Sequence, residues 1–355
     1  MPEIKPKKSI LKVAVEKNTA RKRQKLKEKA NKNREVRSAE RAIEKSTLSA
    51  LSYKANKNKR DFIDIEHLEA ADLREILSLA KDLKKKNRKL LDGKQLAQIY
   101  EKPSTRTRVS FEVGMSQLGG NVVTLLSSDM QLGRGETVAD TAKVLSRYVD
   151  LIMLRAHSHG TLLELAEHSA VPVINGLTDF SHPCQIMADI LTYEEKKGNI
   201  KGAKIAWVGD GNNVLNSWIH ASAKLGFELN IACPLELLPS QKFVDRAIEN
   251  GANITIEDSP AKAVKKADCV VTDTWLSMGD KDPETRRNLL VNYQVNSALM
   301  EKAKKDAIFM HCLPAHRGEE VSATVLDGTQ SVVWDEAENR LHVQKAIMAW
   351  CLNAN

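Results

Sequence analysis

The sequence predicts an α/β protein with two doubly wound parallel-sheet domains that are joined by helices and preceded by a basic N-terminal extension. Short apolar runs of strand length alternate with helical patterns over residues 95–197, and the alternation resumes over residues 204–275. Such alternation is typical of βαβ units on a parallel sheet. The length of 355 residues also fits about two domains. The predicted division is an extension at 1–58, a first domain at 59–197, a second domain at 198–335, and a C-terminal helix at 336–355 that packs back on the first domain.

The first domain opens with an amphipathic helix, because apolar residues recur at helical spacing between Leu68 and Leu91. Strands are then predicted at Gln95–Tyr100, Asn121–Leu126, Asp150–Arg155 and Val171–Asn175, and helices at Ser104–Leu118, Glu136–Tyr148, Thr161–His168 and His182–Lys197. Ligands of open parallel sheets bind beyond the carboxyl ends of the strands. Ser104, Arg155 and His182 fall at such ends, which makes them candidate ligand-binding residues.

The second domain repeats the pattern. Strands are predicted at Lys204–Gly209, Glu228–Cys233, Asn253–Ile256, Cys269–Trp275 and Ala307–Cys312, and helices at Val214–Leu225, Gln241–Asn250, Ala261–Lys266 and Leu341–Ala354. The turn Gly209-Asp210-Gly211-Asn212-Asn213-Val214 follows a strand, but valine stands where the dinucleotide fingerprint requires its third glycine. A dinucleotide cofactor is therefore not predicted.

The net charge of +8 belongs to the N-terminal extension and not to the body of the protein. Residues 1–60 contain 20 Lys and Arg against six acidic residues, whereas the remainder contains 34 against 40. Two interpretations remain open: a solvated extension that is disordered or partly helical, and a tail that contacts nucleic acid through its cations. The six glutamates argue against a mitochondrial transit peptide, and no apolar run reaches the ~18 residues of a membrane helix.

The cysteines indicate a reducing compartment. They are Cys184, Cys233, Cys269, Cys312 and Cys351, an odd number with no C-x-x-C spacing. We therefore expect a cytoplasmic protein without a disulfide framework, a metal or a cofactor. Cys312 follows His311, but neighbours on a strand point to opposite faces. This argues against a nucleophile–base pair and leaves an inert core thiol as the plain interpretation.

The stretch Lys102-Pro103-Ser104-Thr105-Arg106-Thr107-Arg108 predicts an anion site. It joins an apolar strand to a helix, and Pro103 suits a helix start. The free N–H groups of a first helical turn and the helix dipole attract anions. Arginine adds a side chain that grips a phosphate with two parallel hydrogen bonds. The alternative is an ordinary N-cap with solvated arginines.

Three other groups of residues are candidates. Arg155 ends an apolar strand, where a charge is either paired or bound to a ligand, and His182 and Gln185 stand three apart on one helical face. In Asp273-Thr274-Trp275-Leu276-Ser277-Met278-Gly279 the carboxylate can pair with an ammonium group. The Ser277 hydroxyl and the Met278 backbone can bind a carboxylate or an amine, although a plain turn at a strand end is the other interpretation.

These stretches, in this order and over residues 60–355, resemble the aspartate and ornithine carbamoyltransferases. Ser104 to Arg108 is similar to the carbamoyl-phosphate signature and His182-Pro183-Cys184-Gln185 to the H-P-x-Q motif, whereas Asp273 to Gly279 and His311-Cys312-Leu313-Pro314 have the ornithine form. The resemblance implies carbamoyl-phosphate contacts from Ser104, Thr105, Arg106, Thr107, Gln131, Arg155, His182, Gln185, Cys312, Leu313 and Arg340. It implies ornithine contacts from Asn213, Asp273, Ser277 and Met278, and catalytic roles for Arg106, His182, Asp273 and Cys312.

The resemblance also implies an activity and an assembly. The expected reaction transfers the carbamoyl group of carbamoyl phosphate to the δ-amine of L-ornithine, in arginine synthesis rather than breakdown. The alternatives are another amine such as putrescine as acceptor, and additional nucleic-acid contact through residues 1–58. Gln131 is implied to reach the phosphate in a neighbouring subunit's site, which requires a homotrimer or an assembly of trimers.

Overall fold

A computed structural model of the chain describes residues 58–131, 135–276 and 282–354. Two separate parallel sheets, each covered by helices, confirm the predicted fold class. None of the helices in these ranges is long and apolar enough to cross a bilayer. The predicted extension at residues 1–58 lies almost wholly outside the described residues, as do Ser277 and Met278.

The first sheet has four parallel strands in the order β2-β1-β3-β4. They are β1 (Gln95–Tyr100), β2 (Asn121–Leu126), β3 (Leu151–Arg155) and β4 (Val173–Leu177). The chain order reverses between β1 and β3, so the crevice at their carboxyl ends is the position where such sheets bind ligands. Tyr100 pairs with Arg155 at this edge.

The second sheet has five parallel strands in the order β7-β6-β5-β8-β9. They are β5 (Lys204–Val208), β6 (Glu228–Ala232), β7 (Asn253–Ile256), β8 (Cys269–Thr272) and β9 (Ile308–His311). β8 and β9 are buried along their whole length, which is expected of central and covered strands in a doubly wound sheet. Asp273 and Cys312 follow their carboxyl ends.

Twelve α-helices occur in the described residues. They are α1 (Ala70–Lys85), α2 (Thr105–Gln117), α3 (Val138–Leu145), α4 (His159–His168), α5 (Pro183–Lys197), α6 (Asn213–Leu225), α7 (Gln241–Glu249), α8 (Pro260–Ala263), α9 (Pro283–Leu290), α10 (Ser297–Met300), α11 (Ala323–Leu326) and α12 (Val333–Cys351). Short 3-10 turns lie at Ile65–His67, Leu235–Leu237 and Val291–Tyr293. The helices α9, α10 and α11 were not predicted from the sequence.

The prediction that the last helix begins at Leu341 is wrong, because α12 begins at Val333 and carries Arg340 in its second turn. Its first turns are rich in polar and acidic residues, but Glu336 and Asn339 are buried. The helix packs against α1, α2 and α5. At Gly114 of α2 a Cβ would lie 3.2 Å from Cγ of Lys345, so glycine permits the close approach that brings α12 to the start of α2.

Candidate active site

The start of α2 presents unused hydrogen-bond donors to the crevice beyond β1. Ser104 is the N-cap residue, but its hydroxyl makes no capping hydrogen bond within the described residues, and the first turn contains no acidic side chain. The first N–H groups of the helix are therefore open to an anion. Thr105 and Arg106 are exposed beside them, whereas Thr107 is buried.

Two further arginines converge on the hydroxyl oxygen of Thr107. Arg340 donates to it at 2.8 Å and Arg155 at 3.3 Å. Burial, and then the neighbouring charge of Arg340, lowers the pKa of Arg155 to about 10, so this guanidinium remains charged at neutral pH. Burial also lowers the pKa of Arg340.

Arg106, Arg155 and Arg340 form an arginine cluster in which no member has a salt bridge to an acidic residue in the described ranges. The Nε atoms of Arg155 and Arg340 are buried without a hydrogen-bond partner in those same ranges. Buried donors without partners are unfavourable unless a ligand satisfies them. Three converging positive charges thus define a site for a multiply charged anion.

His182 and Gln185 lie next to this cluster at the start of α5. Arg340 donates to the Gln185 Oε1 atom and approaches the Nε2 atom of His182 at 3.5 Å. Burial, followed by the charges of Arg340, Arg155 and Arg106, holds the pKa of His182 well below its usual range. The imidazole is therefore neutral, and because Nε2 faces a donor, its proton is assigned to Nδ1, which has no partner among the described residues.

Asp273 and Cys312 meet at the carboxyl ends of β8 and β9. The Cys312 thiol donates to Oδ1 of Asp273 at 3.0 Å, and the other carboxylate oxygen accepts from Asn212 at 2.7 Å. Burial, and then the Asp273 charge, raises the pKa of Cys312 well above its usual range. Cys312 is thus a protonated hydrogen-bond donor and not a thiolate nucleophile.

The adjoining turn is fixed through His311. Its Nδ1 atom accepts from the Leu313 N–H at 2.9 Å, and its Nε2 atom contacts Glu320 at 3.1 Å. Leu313 has φ = 58° and precedes a cis peptide bond to Pro314. A left-handed conformation at a leucine is uncommon and is found at functional sites. His311 and Cys312 have different partners, so they do not form a nucleophile–base pair.

Two predicted residues lie apart from these contacts. The Asn213 side chain donates to the Thr178 carbonyl oxygen at 2.7 Å, which ties the start of α6 to the loop before α5. Gln131 is exposed, and within the described ranges its side chain has no hydrogen bond to the arginine cluster. Ser277 and Met278 lie outside the described residues.

Sequence reasoning missed three residues that build the site. Asn212 donates a hydrogen bond to Asp273, and Asp189 and Glu336 both accept hydrogen bonds from the side-chain amide of Gln185. The position of Asn212 in the turn after β5 fits its role as the N-cap of α6. Its second partner, Asp273, is 61 residues further along the chain. No local pattern marks such a contact.

The fold and the site together define a class: a two-domain α/β protein that binds a multiply charged anion at one strand-to-helix junction and a second group at the ends of β8 and β9. Two family models match this chain, one for each of its two domains. Residues 60–195 match the carbamoyl-P binding domain of aspartate/ornithine carbamoyltransferase, and residues 201–351 match its Asp/Orn binding domain.

Similar proteins carry the same family name. Ornithine carbamoyltransferases of Nitrobacter winogradskyi and Rhodopseudomonas palustris are 58% and 60% identical, and each match covers 84% of this chain and 99% of the relative. The solved ornithine carbamoyltransferase of Pyrococcus furiosus superimposes with a TM-score of 0.80 at 50% identity, covering 84% of this chain and 98% of that one. The chain belongs to the aspartate/ornithine carbamoyltransferase family.

Proposed function

We propose that the chain is an ornithine carbamoyltransferase, which transfers the carbamoyl group of carbamoyl phosphate to the δ-amine of L-ornithine and releases L-citrulline and phosphate. The observation that carries the proposal is the convergence of Arg106, Arg155 and Arg340 on the start of α2, across from the Asp273–Cys312 pair. The names of the relatives support ornithine as the acceptor. The test is citrulline formation by the purified protein, and no citrulline from the two substrates would contradict it.

The arginine cluster neutralises the phosphate that departs. In the proposed complex Ser104, Thr105 and Thr107 contribute donors from the start of α2, and Arg340 and Arg155 bind from the opposite side. Charge-assisted hydrogen bonds of this kind are the strong ones. The positive cluster therefore lowers the cost of breaking the bond between the carbamoyl carbon and the phosphate oxygen.

His182 and Arg106 polarise the carbamoyl carbonyl group. A neutral imidazole with one free N–H is a fixed donor, and a guanidinium adds positive charge. A preorganised donor at a developing oxyanion is typically worth about 3 kcal/mol of transition-state stabilisation. The amine nitrogen attacks the carbonyl carbon, the C–O bond to phosphate breaks, the carbonyl group re-forms, and the new C–N nitrogen releases its extra proton to the departing phosphate or to Asp273.

The ornithine site is proposed at Asp273, Asn213, Ser277 and Met278, with Cys312 and the Leu313 carbonyl group beside the attacking nitrogen. The δ-amine has a pKa near 10 by analogy with lysine and must lose a proton before it attacks. Cys312 already carries its proton, so it orients the amine and does not accept the proton. The departing phosphate and Asp273 remain the acceptors for it.

Removal of the Ser277 hydroxyl is expected to separate the two substrates. In Ser277→Ala the KM for ornithine rises, by about tenfold for the loss of one hydrogen bond to a charged group. The KM for carbamoyl phosphate changes less, because its site is built from α2, α5 and α12. Initial rates with each substrate varied in turn measure both constants, and a larger change for carbamoyl phosphate would move the amine site elsewhere.

A panel of amines separates ornithine from the runner-up acceptor. Putrescine lacks the α-amino and carboxylate groups that Asp273 and Ser277 are proposed to bind. Equal kcat/KM for the two amines would favour a transferase for another amine.

A role in arginine synthesis in the cytoplasm is proposed in addition. One similar solved structure is that of an anabolic ornithine carbamoyltransferase from Campylobacter jejuni, with a TM-score of 0.80 and 40% identity.

A homotrimer, or an assembly of trimers, is proposed with Gln131 completing a neighbouring site. An apolar exposed surface supports it: Val109 and Val113 on α2 and Val123 and Leu126 on β2 are each at least 40% exposed. This surface borders the arginine-bearing start of α2, so a subunit seated there would reach the phosphate site. Sedimentation equilibrium measures the assembly, and a monomer would contradict it.

The charge asymmetry supports contact of residues 1–58 with nucleic acid as a second function. Twenty cations within the first 60 residues would neutralise phosphates without sequence selectivity. RNA retention is measured for the full chain and for a variant that lacks residues 1–58, at two salt concentrations. Equal retention by both proteins would contradict the contact.

A further inference from the structure

Two carboxyl groups that the proposed mechanism does not use accept hydrogen bonds from the side-chain amide of Gln185. Asp189 is on α5 and Glu336 is on α12, and each residue is 1% exposed. The Gln185 Nε2 atom donates to Oδ1 of Asp189 at 2.8 Å and to Oε1 of Glu336 at 3.0 Å. One amide nitrogen therefore bridges both carboxyl groups, which places them side by side in the interior.

Two buried carboxyl groups in contact retain a proton between them, because two adjacent negative charges in the interior are strongly unfavourable. Burial raises the pKa of each, and the charge of Asp189 raises that of Glu336 further. The titratable and charged groups that face the pair from the surrounding elements are Arg340, Asp273, Cys269 and Cys312. Arg340 is the one cation among these four, and a pair with one proton balances its charge.

The pair determines which way the Gln185 amide points. Both Nε2 hydrogens are taken by carboxyl oxygens, so Oε1 must face the opposite side, where Arg340 donates to it. That side is the arginine cluster. The site therefore presents a carbonyl oxygen, an acceptor, where a substrate amino group would lie.

The same pair is tied to the second sheet. The other Glu336 oxygen, Oε2, accepts from the His311 N–H at 2.9 Å. His311 is the last residue of β9 and precedes Cys312. Glu336 thus fixes Gln185 and the end of β9 with one side chain.

We propose that Asp189 and Glu336 act as a positioning pair with one shared proton, which holds Gln185 with its carbonyl oxygen towards the arginine cluster and so selects a phosphate donor that carries an N–H group. The proposal rests on the proposed function, because that function supplies the donor. Neither carboxyl group touches the substrate. Their effect passes through Gln185.

Asp189→Asn and Asp189→Leu separate this role from a general loss of structure. The asparagine variant keeps an oxygen for Gln185 and gives an N–H to ionised Glu336, so it reproduces the bonds and the charge of the singly protonated pair. The leucine variant removes one of the two acceptors on the Gln185 Nε2 atom and leaves Glu336 as the other, so the orientation of the amide is less firmly fixed. The probes are carbamoyl phosphate as substrate and acetyl phosphate, which has a methyl group in place of the amino group, as a competitive inhibitor.

In Asp189→Leu we expect the KM for carbamoyl phosphate to rise at least tenfold and the Ki for acetyl phosphate to change less than threefold. In Asp189→Asn both constants stay within threefold of the wild-type values. An equal rise of both constants in the leucine variant would overturn the proposal. If that variant does not fold, Asp189→Ala gives the same comparison.

A second measurement needs no activity. Burial raises the pKa of Asp189 to about 7, so the folded state loses stability as the pH rises from the ordinary carboxyl pKa towards that value. The amide introduced by Asp189→Asn has no such proton to lose, so the Tm of this variant minus that of the wild type increases from about pH 4 to about pH 7. A difference that does not change with pH would show that no proton is shared. This result is independent of citrulline formation, so failure of the pair and failure of the proposed function are distinguishable.

Discussion

Arg106→Ala is expected to lower kcat/KM for citrulline formation by about a thousandfold or more while the protein remains folded, since single charge-stabilising groups at acyl and phosphoryl centres have effects of this size. Arg106 is exposed at the start of α2, next to Arg155 and Arg340. Its removal eliminates one of three charges on the departing phosphate and a donor to the carbonyl oxygen. Exposed substitutions change stability by about 0.5 kcal/mol or less, so the thermal midpoint stays near that of the wild type.

Arg108→Ala is the matched control for Arg106→Ala. Arg108 belongs to the same motif and is also exposed, but its Nε atom is 3.1 Å from Glu112 Oε1 on the next turn of α2. We expect this variant to keep kcat/KM within about fivefold, because surface ion pairs contribute little. Equal losses in the two variants would mean that the motif acts through overall positive charge. Full activity of Arg106→Ala would remove the proposed phosphate site.

The sequence was sufficient where one local pattern determines an element. The predicted bounds of β1, β2 and β7 agree with the structure. β1 is a short apolar run bounded by polar residues, and β2 contains an apolar run that begins directly after Gly119-Gly120 and Asn121. Parts of the candidate site were predictable for the same reason, because a strand followed at once by hydroxyl and guanidinium side chains is a contiguous signal.

The parts that could not be predicted depend on contacts between distant segments. The contacts of Glu336 with Gln185 and His311, which are 151 and 25 residues away, leave no mark in the sequence around α12. The two arginines of the signature look equivalent until Glu112 is seen to hold Arg108. A buried polar residue is identified by its partners, and these are known only after the chain has folded.

Asp273→Asn is expected to lower kcat/KM for ornithine by about a hundredfold, the ~3 kcal/mol typical of a buried charge-assisted contact. The carboxylate accepts hydrogen bonds from Asn212, the Thr274 N–H and the Cys312 thiol. An asparagine has one oxygen for these donors, and its NH₂ group faces one of them. The variant also loses the negative charge that is proposed to pair with the ammonium group of ornithine.

The matched control is Asp258→Asn, which removes an exposed carboxylate paired with Lys262 on α8. We expect it to keep both KM values, since its ion pair is solvated and far from the ends of β8 and β9. In Asp273→Asn the KM for carbamoyl phosphate should remain within about threefold of the wild-type value, because α2, α5 and α12 hold that substrate without Asp273. A loss confined to carbamoyl phosphate would place Asp273 with the phosphate donor instead. The amine would then have to bind elsewhere along the crevice.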